Sequence, residues 1–242
     1  MILTIDTGNT TTKVVLFDDT IPVYRNVEKQ FDIKHIKKIC RNYPVRCIIQ
    51  SSVVSMHKTN LAAMKKLALF IGLNSRTRVP VKNLYRTPKT LGSDRLANAV
   101  GGAFLMPQRN VLIIDMGTCI KYDFVNSKGA YVGGSISPGL TMRFRALHDF
   151  TGKLPLLREA KVDKLEGQTT VESIQTGVVR GIAAEINGFI SLYRKKHKSL
   201  KVIITGGDAF HFAQELNLSI FAAADLVNIG LNQIARYNIK KK

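Results

Sequence analysis

The sequence predicts an α/β protein of two similar βββαβα halves that face a central cleft. Three observations carry that prediction. The stretch "ILTIDTGNT" from Ile2 and the stretch "VLIIDMGT" from Val111 repeat one pattern, an apolar strand that ends in aspartate, glycine and threonine. Each is followed by two further segments of strand-like alternation. Each of these meanders then gives way to helical periodicity around one short apolar run. Two such halves aim two acidic strand ends, Asp6 and Asp115, at one cleft. A chain of 242 residues has the length for two small domains, divided here as 1–107 and 108–242.

In chain order, strands are expected at Ile2 to Thr7, Thr11 to Phe17 and Ile21 to Val27, with "DDT" as the turn between the last two. "DIKHIKKICRNY" has helical spacing and "RCIIQSSVV" reads as a strand. A helix follows from His57 to Ile71, with Leu61, Met64, Leu67 and Leu69 among its apolar positions. The stretch "YRTPKTLGSDRLANAVGGAFL" places a helix through Leu96, Ala97, Val100 and Phe104. The second half restarts with "VLIIDMGT", "CIKYDFVNS" and "AYVGGSISPG" as strands. Helices are expected at Leu140 to Phe150 and Val171 to His197. "LKVIITGGD" is a buried strand ending in glycines, and helices at Phe210 to Leu216 and Ala224 to Tyr237 complete the half.

Composition narrows the class. The chain is 45% hydrophobic, as a globular protein is, yet no apolar run approaches the roughly 18 residues of a membrane span. The start "MILTIDTGN" shows no basic segment before an apolar core and no small-residue cleavage site, which points to a cytoplasmic protein. Cys40, Cys47 and Cys119 are odd in number and lack metal-ligand spacing, so they read as three buried thiols. The 36 Lys and Arg against 17 Asp and Glu give a charge of +19, a field that attracts polyanions. The basic clusters at Lys34 to Lys38, Lys65 to Lys66, Arg194 to Lys201 and Lys240 to Lys242 are dispersed and carry no interleaved aromatics. No specific nucleic-acid partner is therefore expected.

The turn "DTGNTTTK" has the chemistry of a phosphate cradle. Gly8 lets backbone approach a ligand, Asn9 and Thr10 offer amide and hydroxyl donors, and Lys13 supplies a point charge. Asp6 is acceptor-only when ionised and suits a hydrated Mg²⁺, which keeps several waters and takes one or two carboxylates. The turn is not a Walker loop, because no helix follows it. In "LGSDRLANA" either Ser93 or Asp94 is placed to cap the helix, while Gly92 permits close approach and Arg95 suits a carboxylate or phosphate. Spacing leaves both readings of Asp94 open.

Taken together, "DTGNTTTK", "YRTPKTLGSDRLANA", "DMGT", "GGSISPGL", "TGKLPLL", "TTVESIQTG" and "VIITGGDA" resemble, in order and over nearly the whole chain, the type III pantothenate kinases. These belong to the superfamily of acetate and sugar kinases, heat-shock ATPases and actin. The resemblance implies two ribonuclease H-like, actin-like ATPase domains: an N-terminal phosphate-loop domain, and a C-terminal domain carrying the second hairpin and an adenosine-side loop. It implies transfer of the γ-phosphoryl group of ATP to the primary hydroxyl of pantothenate, the first step of coenzyme A synthesis. By the same resemblance, Asp6, Thr7, Gly8, Asn9, Thr10, Thr11, Thr12 and Lys13 form the ATP phosphate loop and Thr118 is a second nucleotide contact. Asp94 looks like the general base. Tyr85, Gly92, Ser93, Asp94, Arg95 and Thr170 match positions that bind pantothenate, with Arg95 a fitting partner for its carboxylate. Asp115 resembles the family's ligand for a monovalent cation, K⁺ or NH₄⁺, and the family works as a homodimer.

Two positions depart from the family pattern. Ser93 stands where alanine is frequent, and Lys121 stands where threonine is usual. In a strand Lys121 shares a face with Asp123, which makes a local ion pair one reading. The other is that its ammonium reaches the ATP phosphates or the acidic strand end and supplies the charge of the cation. A regulatory protein binding nucleic acid on the same fold is the competing function. Such a protein has no use for Asp6, Lys13, Asp94, Arg95, Asp115 and Thr170 together, and all six are present.

Overall fold

The computed structural model describes residues 1–158, 162, 164–213, 216 and 221–239. Two compact units share the chain: Met1–Arg109, Val125–Gly133 and Asp225–Lys242 form the first, and Asn110–Phe124 with Gly134–Ala224 the second.

The first unit opens with the meander β1 (Ile2–Thr7), β2 (Thr12–Asp18) and β3 (Ile21–Glu28), followed by α1 (Ile33–Asn42), β4 (Cys47–Ser52), α2 (Lys58–Leu67) and β5 (Leu69–Gly72). Its sheet runs in the order β3-β2-β1-β4-β5, with β1 antiparallel to β2 and parallel to β4. The apolar run of β1 alternates between two cores because successive side chains leave opposite faces of a strand. Leu3 and Ile5 join Ile36, Ile39 and Met64 of the first two helices. Ile2 packs on the other face with Cys47, Ile49, Leu96, Val100, Leu231 and Ile234. Short β6 (Lys82–Asn83) and the helix α3 (Ser93–Leu105) follow.

In the second unit, β7 (Val111–Met116), β8 (Cys119–Val125) and β9 (Ala130–Pro138) lead to α4 (Leu140–Asp149), α5 (Thr170–Lys196), β10 (Lys201–Thr205), α6 (Ala209–Ala213) and β11 (Phe221–Ala222). This sheet runs β6-β9-β8-β7-β10-β11, and its order from β9 to β11 reproduces that of the first sheet, with β6 added beside β9. The repeat read from Asp6 and Asp115 is thus a repeat of topology. One core holds Leu112, Ile114 and Met116 with Ile120, Tyr122 and Phe124 under Phe144, Val178, Ile182 and Ile186. Helix α5 begins at a capping box in which Thr169 Oγ1 accepts from Glu172 N at 3.2 Å and Glu172 Oε2 accepts from Thr169 N at 3.1 Å. Deeper in the same helix, Glu185 accepts from Tyr122 at 2.8 Å and Ser137 at 2.5 Å and pairs with Arg143. Burial alone would raise the Glu185 pKa, but hydrogen bonds from Ser137, Arg143 and Tyr122 outweigh it and hold the carboxyl below its usual range. The partial burial of Glu185 is matched by charge-assisted partners.

The last helix, α7 (Leu226–Ile239), returns to the first unit. Asn228 Nδ2 donates to Thr4 Oγ1 at 3.0 Å, Asn232 Nδ2 to the Asp19 carbonyl at 2.8 Å, and Arg236 pairs with Asp19 at 2.8 Å. Helices α7 and α3 cross at glycines: a Cβ on Gly230 would lie far inside contact distance of the Ala97 carbonyl, and one on Gly101 within 2.6 Å of the Leu226 carbonyl. Gly230→Ala is expected to cost about 1 to 3 kcal/mol of stability through this overpacking, even after a gain of about 1 kcal/mol in helix propensity. A urea midpoint equal to wild type would show that the helices do not depend on this approach.

Several expectations are corrected here. The expected boundary at 107/108 falls at Arg109/Asn110, but residues 125–133 join the first unit, where Lys82 and Asn83 pair in parallel with Ala130 and Tyr131, and the terminal helix joins it because α7 packs on α3, β1 and β4. The helix expected to Ile71 stops at Leu67, and Leu69 to Gly72 instead pair in parallel with Cys47 to Gln50. Only Cys47 is fully buried, Cys40 and Cys119 being partly exposed. Burial pushes the Cys47 thiol up to about 11. The two-residue strands β6 and β11 were too short to register as alternation. The helix expected from Phe210 to Leu216 is α6 through Ala213, and its residues 214 and 215 lie outside the described residues, as does the cluster Lys240 to Lys242. No described helix is long and apolar enough to cross a membrane.

Candidate active site

The phosphate-loop candidates lie on the β1/β2 hairpin. Asp6 is next to last in β1, half-buried, and its Cα partner across the hairpin is Lys13. The turn closes on a hydrogen bond from Gly8 N to the Thr11 carbonyl at 2.9 Å. Asn9 and Thr10 at its tip are exposed, whereas Thr7 and Thr12 are buried and anchor its two legs. Gln50 Nε2 donates to Thr7 Oγ1 at 3.3 Å, and Val53 N to the Thr7 carbonyl at 3.1 Å. A rigid base therefore carries an exposed, donor-rich tip.

The carboxyl end of β1 also sets the start of α3. Asp6 is the Cα partner of Ser51 in the parallel strand β4, and Ser51 Oγ is 2.9 Å from Ser93 Oγ. Asp94 follows at once, so the start of the helix is tied through Ser93 to the strand position beside Asp6. The helix cap is Gly92, with no side-chain cap bond, which makes Ser93 and Asp94 the first and second helical residues. Neither acts as the N-cap that spacing allowed. An acid in the first turn is favoured by the helix dipole. A Cβ on Gly92 would meet Asp94 Oδ1 at 2.5 Å, so glycine leaves the space in which that carboxylate sits.

Arg95 is only 5% exposed, and a cation that buried needs partners. One is Tyr85, whose ring centroid lies 5.6 Å from its Cζ, within the range of a cation–π contact. Tyr85 in turn stacks on Tyr131 at 6.1 Å and 27°. The loop holding Tyr85 is fixed by Leu84 N donating to the Tyr131 carbonyl at 2.9 Å and Tyr85 N to Asn83 Oδ1 at 2.9 Å. Sequence reasoning missed Ser51 and Tyr131 as supports. Ser51 was discoverable as a polar residue interrupting an apolar strand, but Tyr131 was indistinguishable from any buried aromatic.

In the second unit, Thr118 is exposed on the β7/β8 turn, and its carbonyl accepts from Gly139 N at 3.0 Å. Thr170, also exposed, is the first residue of α5 and lies within the capping box, directly after the N-cap Thr169. Asp115 is buried at the end of β7 and pairs with Lys121, Nζ to Oδ2 being 2.8 Å.

Two parallel-cored sheets of one strand order, each with an acid at the end of its first strand, define the architecture of actin-like ATPases and sugar kinases. The family described as type III pantothenate kinase matches residues 2–192. A type III pantothenate kinase of Bacteroides fragilis is 44% identical over 240 residues, covering 98% of each chain. This chain belongs to the type III pantothenate kinase family. Among solved structures, a protein of Campylobacter jejuni described as a Baf family transcriptional activator is 20% identical, with a TM-score of 0.63 over 98% of this chain and 99% of that one. A glucokinase from an Antarctic psychrotroph is 11% identical, with a TM-score of 0.54 over 98% of both. At those identities the likeness is one of fold alone.

Proposed function

We propose that this protein transfers the γ-phosphoryl group of ATP to the primary hydroxyl of pantothenate, giving 4'-phosphopantothenate. One observation carries the reading beyond family membership: a donor-rich turn, a helix-start carboxylate and a buried arginine converge in one unit through Asp6, Ser51, Ser93 and Asp94. The backbone and hydroxyls from Thr7 to Thr12, with Lys13, hold the phosphates, and Thr118 is a further nucleotide contact. Asp94 accepts the hydroxyl proton and aligns the oxygen on the γ-phosphorus. Phosphoryl transfer rests mainly on such alignment and on neutralising charge. Arg95 takes the pantothenate carboxylate, Tyr85 holds the guanidinium over its ring, and Gly92, Ser93 and Thr170 complete the acceptor contacts.

A hydrated Mg²⁺ fits Asp6, since one half-buried acceptor-only carboxylate beside a phosphate turn meets its need and water fills the rest. When bound, the ion neutralises charge on the phosphates. Asp6→Asn is expected to shift the Mg²⁺ titration of activity to higher concentration, and an unchanged titration would remove that role from Asp6. With ATP as donor, we place the protein in the cytoplasm. We also propose a homodimer, the assembly that the family resemblance implies.

The acceptor class is tested by following ADP release with ATP and Mg²⁺ against pantothenate, glucose and N-acetylglucosamine. Release is expected with pantothenate alone. Release with a sugar alone would reassign the protein to another branch of the same fold.

A further inference from the structure

We infer that Lys121 is a built-in monovalent cation: its ammonium occupies the Asp115 carboxylate where the family resemblance implies K⁺ or NH₄⁺, so the enzyme works without an added monovalent ion. The inference rests on the kinase reading above and concerns how this chain supplies one positive charge at that strand end.

The register explains why this residue reaches that carboxylate. Ile114 and Met116 of β7 and Ile120, Tyr122 and Phe124 of β8 share one core, so the alternate positions Asp115 and Lys121 share the opposite face. The two strands are sheet neighbours joined by the two-residue turn at Gly117 and Thr118, a connection that places them antiparallel. Lys121 Nζ then lies 2.8 Å from Asp115 Oδ2, a charge-assisted hydrogen bond of full strength. The pair is largely withdrawn from water, the side chains being 19% and 12% exposed, so the bond is poorly screened. A potassium ion seated on the same oxygen would meet a like charge at hydrogen-bond distance. The residues present therefore do not fit a second cation there.

The first hairpin repeats the arrangement: Asp6 and Lys13 are Cα partners across β1 and β2. Asp6 also neighbours Ser51 in the next parallel strand, as Asp115 neighbours Thr205. Both halves thus set a lysine across the hairpin from the strand-end acid and a hydroxyl beside it. A lysine is a compact point charge on a flexible four-carbon stem. Unlike a bound ion, it cannot be dialysed away.

The test uses rubidium as a potassium analogue, with wild type, Lys121→Thr and Lys121→Met, an uncharged side chain that is one atom shorter than lysine. Equilibrium dialysis against ⁸⁶Rb⁺ needs no turnover. Phosphopantothenate formation is measured in parallel in sodium, Tris and potassium salts of matched ionic strength. Wild type is expected to bind no saturable rubidium and to give the same kcat/KM in all three salts within about a factor of two. Lys121→Thr is expected to take up one rubidium ion per chain, to lose at least about tenfold activity in sodium, and to recover it in potassium. Lys121→Met is expected to be impaired in every salt. A saturable rubidium site in wild type, or potassium activation of about tenfold or more, overturns the inference, as does full activity of Lys121→Met in sodium. Wild type decides alone if the variants do not fold. Absence of product in every salt would defeat the kinase reading instead, and the dialysis would still decide the cation.

Discussion

Asp94→Asn is expected to lower kcat by about 10²- to 10⁴-fold, the range typical of a lost general base, while ATP affinity stays near that of wild type. The substitution keeps the shape of the side chain and removes its capacity to accept a proton. Its position argues for so large an effect: Asp94 is the second residue of α3, and Gly92 rather than Asp94 takes the cap position. The Ser93 hydroxyl ties that turn to Ser51 of β4, beside the Asp6 strand end. The helix should therefore form normally in the variant. Retention of more than about a tenth of wild-type kcat, outside the general-base range, would remove the base role from Asp94. A loss of ATP binding in step with kcat would show that the residue serves the nucleotide.

Gly92→Ala is expected to reduce kcat by roughly 10²-fold although every proposed functional group remains. The added Cβ meets Asp94 Oδ1 at 2.5 Å, and the carboxylate must swing aside. A displacement near 1 Å of a reacting group costs about 10²-fold when alignment dominates the barrier. Stability should fall by about 1 kcal/mol at most, the cost of alanine at an N-cap, because the neighbour that yields is the tip of a side chain. Gly230 is the contrast, since there the obstacle is the Ala97 backbone carbonyl. Stopped-flow single turnovers, which isolate chemistry from product release, together with a thermal melt, separate the two cases. Wild-type kcat with an unchanged melt would mean that Asp94 can act from another rotamer.

The sequence disclosed what depends on period and on local chemistry. The meander from Ile2, the long helix that proves to be Thr170–Lys196, and the repeat linking Asp6 to Asp115 all follow from alternation, 3.6-residue spacing and the Asp-x-Gly turn. Features made by pairing between distant segments were not legible. Leu69 to Ile71 fit a helical stripe, and only the parallel partner Cys47 to Ile49 draws them into a sheet. The return of α7 to the first unit puts Leu231 and Ile234 into the core beside Ile2, Leu96 and Val100 and brings Asn228 and Asn232 to Thr4 and Asp19, partners that no local pattern announces. At the site, the phosphate turn could be read from residue types. The cap position at Gly92 and the Ser51 to Ser93 bond that aims Asp94 could not. For Lys121, spacing left both Asp123 and the strand end within reach, and the shared face of β7 and β8 brings it to Asp115.

The central claim, phosphoryl transfer to the pantothenate hydroxyl, is tested most directly by mass spectrometry of the acceptor after incubation with ATP, Mg²⁺ and pantothenate. Gain of one phosphoryl group on pantothenate is expected, with none on an analogue lacking the primary hydroxyl and none with Asp94→Asn on the same timescale. Pantothenate recovered unmodified while ATP is hydrolysed, or phosphorylation of the analogue, would contradict it.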